Sequence, residues 1–83
     1  MPQVTVYTTP YCPYCHRAKL LLGSKDVEFE EIDASDDAVR EALVAQTQWR
    51  TVPQIFIGEE FVGGFDELQA LDDEGRLDEM LAA

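Results

Sequence analysis

Two cysteines, Cys12 and Cys15, enclose the dipeptide Pro13–Tyr14, and the chain has no other cysteine. Thiols at this spacing can bind a metal, form a structural disulfide, or cycle between dithiol and disulfide. A zinc site needs four ligands, and His16 supplies only a third nearby, so we expect no metal here. A structural disulfide that closes so short a loop stabilises a fold little. A Cys-x-x-Cys motif beside a strand-helix-strand pattern is instead typical of a redox site.

The elements around the cysteines give the two thiols different roles. The residues Gln3–Tyr7 are rich in β-branched side chains and predict a strand. A helix is predicted from Pro13, which suits a first helical position because it lacks an N–H. Cys12 then precedes the first turn, where free backbone N–H groups and the positive end of the helix dipole stabilise a thiolate. Cys15 lies one turn further in, less exposed but within reach of a mixed disulfide on Cys12. We therefore predict that Cys12 is the nucleophile and Cys15 the resolving thiol.

The rest of the chain predicts an α/β fold with the element order βαβαββα. The first two strands are expected to be parallel and joined by a right-handed crossover. The order implies a four-stranded mixed sheet with helices on both faces. In chain order the predicted elements are strand Gln3–Tyr7, a helix from Pro13 to a stop at Gly23, strand Val27–Ile32, a helix over Val39–Gln46 with capping residues in Asp33–Ser35, strands Gln54–Ile57 and Glu60–Val62 around a Gly58–Glu59 turn, and helices over Asp66–Leu71 and Arg76–Leu81.

Length and composition limit the classes of protein. The chain has 83 residues, of which 46 % are hydrophobic, so we expect residues 1–83 to form a single folded domain. The formal net charge of −11 argues against nucleic acid as a partner, because the phosphate backbone attracts cations. The sequence offers neither a long apolar run nor a basic, apolar start, so we expect no membrane association and a cytoplasmic location.

The charge is unevenly distributed along the sequence. Residues 1–25 contain three basic residues and no acidic residue, whereas all 17 acidic residues lie after them. Arg40 and Arg50 are two of the three cations in that acidic part. The segment that holds both cysteines is therefore net positive, and cations near one groove would offset the repulsion that an anionic substrate meets elsewhere.

Three motifs together resemble the dithiol glutaredoxins of the thioredoxin-like superfamily, and the resemblance covers essentially the whole chain. The motifs are Tyr11–Cys15, Arg50–Pro53 and Gly63–Asp66. The resemblance implies a thioredoxin-like fold and a glutathione-dependent thiol–disulfide oxidoreductase. Such an enzyme reduces glutathione mixed disulfides and protein disulfides through the Cys12 and Cys15 dithiol.

The resemblance also implies a glutathione site. A cis bond before Pro53 would present the backbone of Val52, on which glutathione can pair as an added strand. The amides of Phe65 and Asp66 at a helix N-terminus would bind the γ-glutamyl carboxylate, and the Asp66 side chain the neighbouring amine. Arg50 matches a position that pairs with the glycine carboxylate, and Arg40 is a further candidate. The implied glutathione-binding residues are Tyr14, Arg40, Arg50, Thr51, Val52, Pro53, Gly64, Phe65 and Asp66.

Partners and alternatives follow from the same resemblance. Glutathione would be the co-substrate, with no metal cofactor, and the chain would act as a monomer. Its substrates would be glutathionylated or disulfide-containing proteins, with ribonucleotide reductase a family-level expectation, and glutathione reductase would act indirectly through the glutathione pool. The sequence departs from the family at Thr9, where a lysine is common. The alternatives are a glutathione-ligated iron–sulfur cluster carrier, a thioredoxin-type disulfide reductase and a noncatalytic acidic adaptor.

Overall fold

Four strands and four helices make up the protein in a computed structural model that describes residues 2–82. Met1 and Ala83, the ends of the predicted domain, lie outside the described residues. The elements are β1 (Val4–Thr8), α1 (Pro13–Ser24), β2 (Glu30–Asp33), α2 (Asp37–Thr47), β3 (Gln54–Ile57), β4 (Glu60–Gly63), α3 (Phe65–Asp73) and α4 (Arg76–Ala82). Each helix in residues 2–82 is too short or too polar to cross a lipid bilayer.

The strands form one mixed sheet in the order β2-β1-β3-β4. β2 runs parallel to β1, and the other two neighbouring pairs are antiparallel. The tight turn between β3 and β4 begins at Gly58, whose φ of +62° is one that glycine adopts readily. The predicted four-stranded mixed sheet, its parallel first pair and the Gly58 hairpin are confirmed.

Helices cover both faces of the sheet, as predicted. On one face Val4 and Val6 are at most 1 % exposed and pack into the main core. Gln54 points to the opposite face, because side chains alternate along a strand and Gln54 precedes the core residue Ile55. Its Oε1 accepts a hydrogen bond from Thr47 Oγ1 at 2.9 Å, which places the end of α2 on that second face. The helical residues of the main core are Ala18 and Leu22 of α1, Leu68 of α3, and Leu77 and Leu81 of α4.

The second strand begins later than its alternating pattern predicts. Residues 27–29 lie outside β2, which starts at Glu30 opposite Thr5 of β1. Because β1 itself begins at Val4, the residues before Phe29 have no strand to pair with in this parallel register. Val27 and Phe29 instead pack against the core as part of a loop. The prediction of a strand over Val27–Ile32 was therefore wrong at its first half.

The ends of α1 and α2 also differ from their predicted positions. Helix α1 continues past Gly23 to Ser24, and Asp26 makes the following turn with a φ of +56°. At α2, Asp36 caps the helix by accepting the Ala38 N–H at 2.8 Å, so the capping residue lies just beyond the predicted Asp33–Ser35. The chain ahead of the helix still belongs to the sheet edge, because Ala34 N–H donates to Thr8 O of β1 at 2.7 Å.

Candidate active site

The sulfur of Cys12 lies at the N-terminus of α1. Cys12 is the N-cap residue of that helix, and its Sγ accepts a hydrogen bond from the Cys15 N–H at 3.1 Å. Pro13 occupies the first helical position, as predicted. Amides without helical partners and the positive end of the helix dipole meet at this point, so the site favours negative charge on the sulfur. The Cys12 thiol also lies 3.6 Å from the carbonyl oxygen of Val52, to which it can donate.

The second thiol, Cys15, is only 1 % exposed. Its burial, followed by its hydrogen bond to the Cys12 side chain, raises the pKa of Cys15 to about 12. Both cysteines are free thiols in the structure. The two sulfurs thus have different environments, with one at an accessible helix end and one held protonated in the interior.

This difference predicts selective alkylation. At about pH 8 a thiol with a pKa near 12 is ionised to roughly one part in ten thousand, and only the thiolate reacts with iodoacetamide. We expect Cys12 to be alkylated and Cys15 to be labelled at least about tenfold more slowly, as read by peptide mass spectrometry. In denaturant both cysteines should react, which is the control for burial. Equal labelling of the two cysteines in the folded protein would contradict the assignment.

A groove of about 380 Å³ begins beside Val52 and runs to the N-terminus of α3. The Val52–Pro53 peptide bond is cis, as the resemblance implied. The ring of Tyr14 extends from α1 towards this groove, with its centroid 6.4 Å from that of Phe65. The residues lining the groove are Tyr14, Trp49, Thr51, Val52, Pro53, Gly64, Phe65, Asp66 and Glu67. Seven of the nine predicted glutathione-binding residues therefore lie together along one wall of the molecule.

The N-terminus of α3 closes the far end of the groove. Gly64 is the N-cap residue, and its N–H donates to Glu67 Oε1 at 3.0 Å. The chain comes so near to the cis-proline segment that a Cβ on Gly64 would lie 3.5 Å from the carbonyl oxygen of Pro53. Phe65 and Asp66 form the first turn, whose N–H groups have no acceptor within the helix. This end of the groove is suited to an anionic group.

The other two predicted residues, Arg40 and Arg50, line a separate cleft of about 580 Å³ against α2. The two clefts have neighbouring residues in their linings, because Arg50 stands in the sequence between the groove-lining residues Trp49 and Thr51. The Nε of Arg40 is buried and has no hydrogen-bond partner in residues 2–82. The two arginines therefore share one cleft, which lies beside the groove and not within it.

Trp49 and Glu67 line the groove although they were not among the predicted site residues. The ring of Trp49 also packs within the fold, with its centroid 5.8 Å from that of Phe61. A signal for Glu67 existed in the sequence, because it stands three residues after Gly64, where a glutamate side chain can accept the backbone N–H of the N-cap residue.

The positive charge of residues 1–25 is largely paired in the fold. Lys19 Nζ lies 2.9 Å from Glu31 Oε2. Lys25 Nζ lies 2.6 Å from Asp72 Oδ1 and 3.2 Å from Asp78 Oδ1. Each lysine therefore binds acidic residues that follow later in the chain, and the cysteine segment carries less free positive charge than its sequence indicates.

The chain is similar to known proteins by family model, by sequence and by structure. The glutaredoxin family model matches residues 4–62. Glutaredoxin 3 of Escherichia coli (strain K12) is 49 % identical over 82 residues, which cover 98 % of this chain and 99 % of that protein. A glutaredoxin of Pseudomonas aeruginosa is 50 % identical over 84 residues, covering all of both chains.

Solved structures agree with these relatives. A buckwheat glutaredoxin–glutathione complex has a TM-score of 0.91 at 33 % identity, covering 98 % of this chain and 77 % of that one. The solution structure of a Brucella melitensis glutaredoxin has a TM-score of 0.88 at 52 % identity, covering 98 % and 89 % of the two chains. The resemblance and the thioredoxin-like fold are confirmed. The chain belongs to the glutaredoxin family and is a glutathione-dependent thiol–disulfide oxidoreductase with a Cys12 and Cys15 dithiol.

Proposed function

We propose that Cys12 is the attacking thiol and that it accepts the glutathionyl group of its substrates. The observation that carries this assignment is the position of its Sγ, which accepts the Cys15 N–H at 3.1 Å at the start of α1. The same sulfur is 3.6 Å from Val52 O, at the edge of the groove. A thiolate there is stabilised by the helix end and lies beside a backbone on which a peptide can pair.

Glutathione fits the groove in one orientation. The cysteinyl unit of glutathione pairs with the backbone of Val52 and leaves its sulfur at Cys12. The γ-glutamyl carboxylate accepts hydrogen bonds from the Phe65 and Asp66 amides, and its amine pairs with the Asp66 carboxylate. Tyr14, Thr51, Pro53 and Gly64 line the path between these ends. The buckwheat glutaredoxin–glutathione complex, a close structural relative, supports glutathione as the ligand.

The glycine carboxylate is at the other end of glutathione. We assign Arg50 and Arg40 as its binding partners. Both lie in the cleft that adjoins the groove beyond Thr51. The guanidinium groups that line this cleft can donate paired hydrogen bonds to such a carboxylate. Two guanidinium groups would offset the repulsion between an anionic tripeptide and a protein of net charge −11.

Two reaction branches follow. With a glutathionylated protein, the Cys12 thiolate attacks the glutathionyl sulfur, and the protein thiolate leaves and takes up a proton. A second glutathione thiolate then attacks that sulfur, releases Cys12 and departs as glutathione disulfide. With a protein disulfide, the Cys12 thiolate attacks one sulfur and displaces the first protein thiolate. The Cys15 thiolate then attacks Cys12 Sγ, displaces the second protein thiolate and forms the Cys12–Cys15 disulfide, which two glutathione molecules reduce as they become glutathione disulfide. Glutaredoxin potentials of about −200 to −230 mV are close to the cytosolic glutathione potential of about −220 to −260 mV, so both branches are reversible.

The cellular setting follows from this chemistry. A dithiol that depends on reduced glutathione belongs in the cytoplasm, where glutathione reductase maintains the pool without binding this chain. Glutathionylated and disulfide-containing proteins are its substrates, with ribonucleotide reductase as a family-level candidate. We assign residues 1–83 to one glutaredoxin domain that acts as a monomer and needs no metal.

The test is to trap the first intermediate in the Cys15→Ser variant with glutathione disulfide. Mass spectrometry should find one glutathionyl group on Cys12. NMR should show amide shifts at Val52, Phe65 and Asp66, while the amide signals of α4, which does not line the groove, stay unshifted. A glutathionyl group on Cys12 without shifts in the groove would contradict the proposed orientation of glutathione. Failure to form any mixed disulfide would contradict the proposed role of Cys12.

A further inference from the structure

A second cleft opens on the other side of the dithiol. This lateral cleft has a volume of about 480 Å³ and shares no lining residue with the glutathione groove. It lies between the start of α1 and the ends of β1 and β2. The residues lining it are Thr8, Thr9, Pro10, Cys12, Cys15, His16, Lys19, Glu31 and Asp33. Its titratable groups are therefore the two thiols, His16 and Lys19 of α1, and Glu31 and Asp33 of β2.

One ammonium group is fixed in the lateral cleft. Lys19 Nζ donates to Glu31 Oε2 at 2.9 Å, and the same oxygen accepts a hydrogen bond from Thr8 Oγ1 at 2.7 Å. These two hydrogen bonds lower the pKa of Glu31, so it stays ionised and keeps its hold on the lysine. Thr8 is 4 % exposed and anchors the arrangement to the central strand β1. Lys19 lies four residues after Cys15, which places both on the same face of α1.

Cys15 needs a nearby positive charge only when it attacks the mixed disulfide on Cys12. In the resting dithiol its proton is held by burial and by the hydrogen bond to Cys12, while a hydrogen bond with the Thr9 backbone and then the charge of Lys19 lower the pKa of Cys15. When Cys12 is in a mixed disulfide, its sulfur can no longer be an anionic acceptor. Cys15 must then lose its proton to attack, and among residues 2–82 Lys19 is the one lysine or arginine that lines this cleft.

We propose that Lys19, held by Glu31 and Thr8, is a positioning residue that stabilises the Cys15 thiolate during attack on the mixed disulfide. This inference rests on the proposed role of Cys15 as the resolving thiol. In the step, the Cys15 thiolate attacks Cys12 Sγ, the Cys12–Cys15 bond forms, and the bond from Cys12 to the substrate sulfur breaks. The electron pair leaves with the substrate thiolate, which takes up a proton equivalent to the one that Cys15 releases.

The role is confined to one of the two branches. Reduction of a glutathione mixed disulfide uses Cys12 alone, and its glutathione lies in the groove on the other side. Reduction of a protein disulfide needs Cys15 to lose its proton beside Lys19. Removal of the lysine charge should therefore slow the second branch and spare the first, a split that a general loss of folding would not produce.

The test uses the aromatic disulfide dithiobis(nitrobenzoate), which releases one thionitrobenzoate when Cys12 attacks and a second when Cys15 resolves the mixed disulfide. We expect Lys19→Met to slow the second release about three- to tenfold and to move its pH profile to higher pH, since one pKa unit is a factor of ten in thiolate. Lys19→Arg should restore the rate. Arg17→Met is the matched control, because Arg17 is on the same helix but lies over the Tyr14 ring, outside the lateral cleft.

The results separate this inference from the proposed function. A second release that is unchanged in Lys19→Met, or a first release that slows equally, would overturn the role of Lys19. In the Cys15→Ser background, Lys19→Met should have no effect on glutathione mixed-disulfide reduction, and an effect there would also overturn it. If Cys15→Ser itself still releases two equivalents of thionitrobenzoate, the resolving role of Cys15 is wrong, and the inference about Lys19 is wrong with it.

Discussion

Replacing Cys12 with serine is expected to abolish reduction of both glutathione mixed disulfides and protein disulfides. A serine hydroxyl at this helix end is not ionised near neutral pH, so the rate should fall by roughly three orders of magnitude or more, to the uncatalysed level. Cys15→Ser should retain reduction of glutathione mixed disulfides and lose reduction of protein disulfides. The reason is that only the second reaction needs the buried thiol, which lies beside Cys12 but away from the groove.

Both variants are measured in one pair of assays. Glutathione mixed-disulfide reduction is followed through consumption of NADPH by glutathione reductase, and protein disulfide reduction through precipitation of the insulin B chain. The double variant Cys12→Ser/Cys15→Ser provides the background rate. Activity retained by Cys12→Ser would show that Cys15 can attack from its buried position. Loss of mixed-disulfide activity in Cys15→Ser would show that the single-thiol branch is not used.

The order and type of the elements were predictable because each has a local signal. The β-branched run before Thr8, Pro13 at a helix start and Gly58 at a tight turn all act through the conformations of single residues. The element ends were less predictable because they depend on pairing between distant segments. The residues before Phe29 have no partner because β1 begins at Val4, and the chain ahead of α2 is still bonded to β1 at Ala34.

The same contrast applies to the site. The asymmetry between the two thiols follows from helix geometry and could be predicted from the spacing alone. The pairing of Lys19 with Glu31 could not, because it joins two elements whose relative placement only the fold determines. The placement of Arg40 and Arg50 in a cleft of their own was likewise hidden in the sequence, where nothing distinguishes a residue inside the groove from one beside it.

The charge distribution in the fold differs from that in the sequence. Within residues 2–82, Lys19 and Lys25 are in ion pairs with acidic residues, and arginines stand next to residues that line the groove. Arg17 lies over Tyr14, and Arg40 and Arg50 lie beyond the groove. The acidic residue Asp66 stands at the opposite end of the groove. We therefore expect glutathione to lie lengthwise, with its glycine carboxylate near the arginines and its free amine near Asp66.

Asp66→Asn should weaken glutathione recognition without slowing the chemical step. The substitution keeps the size of the side chain and removes the charge that we assign to the γ-glutamyl amine. A charge-assisted hydrogen bond contributes about 1.5–3 kcal/mol, so we expect KM for a glutathione mixed disulfide to rise about tenfold or more, with kcat nearly unchanged. The control is Asp73→Asn, which makes the same charge change on α3 but lies outside the groove and contacts Gln69.

A glutathione analogue that lacks the γ-glutamyl amine identifies the partner of Asp66. Wild-type protein should bind the analogue about as weakly as Asp66→Asn binds glutathione, because each change removes one side of the same pair. The variant and the analogue together should lose little more than either alone. Additive losses would mean that Asp66 acts elsewhere, for example through the α3 N-terminus, where an acid also stabilises the helix. In that case the amine would bind outside the groove end formed by Asp66, and the lengthwise orientation of glutathione would be wrong.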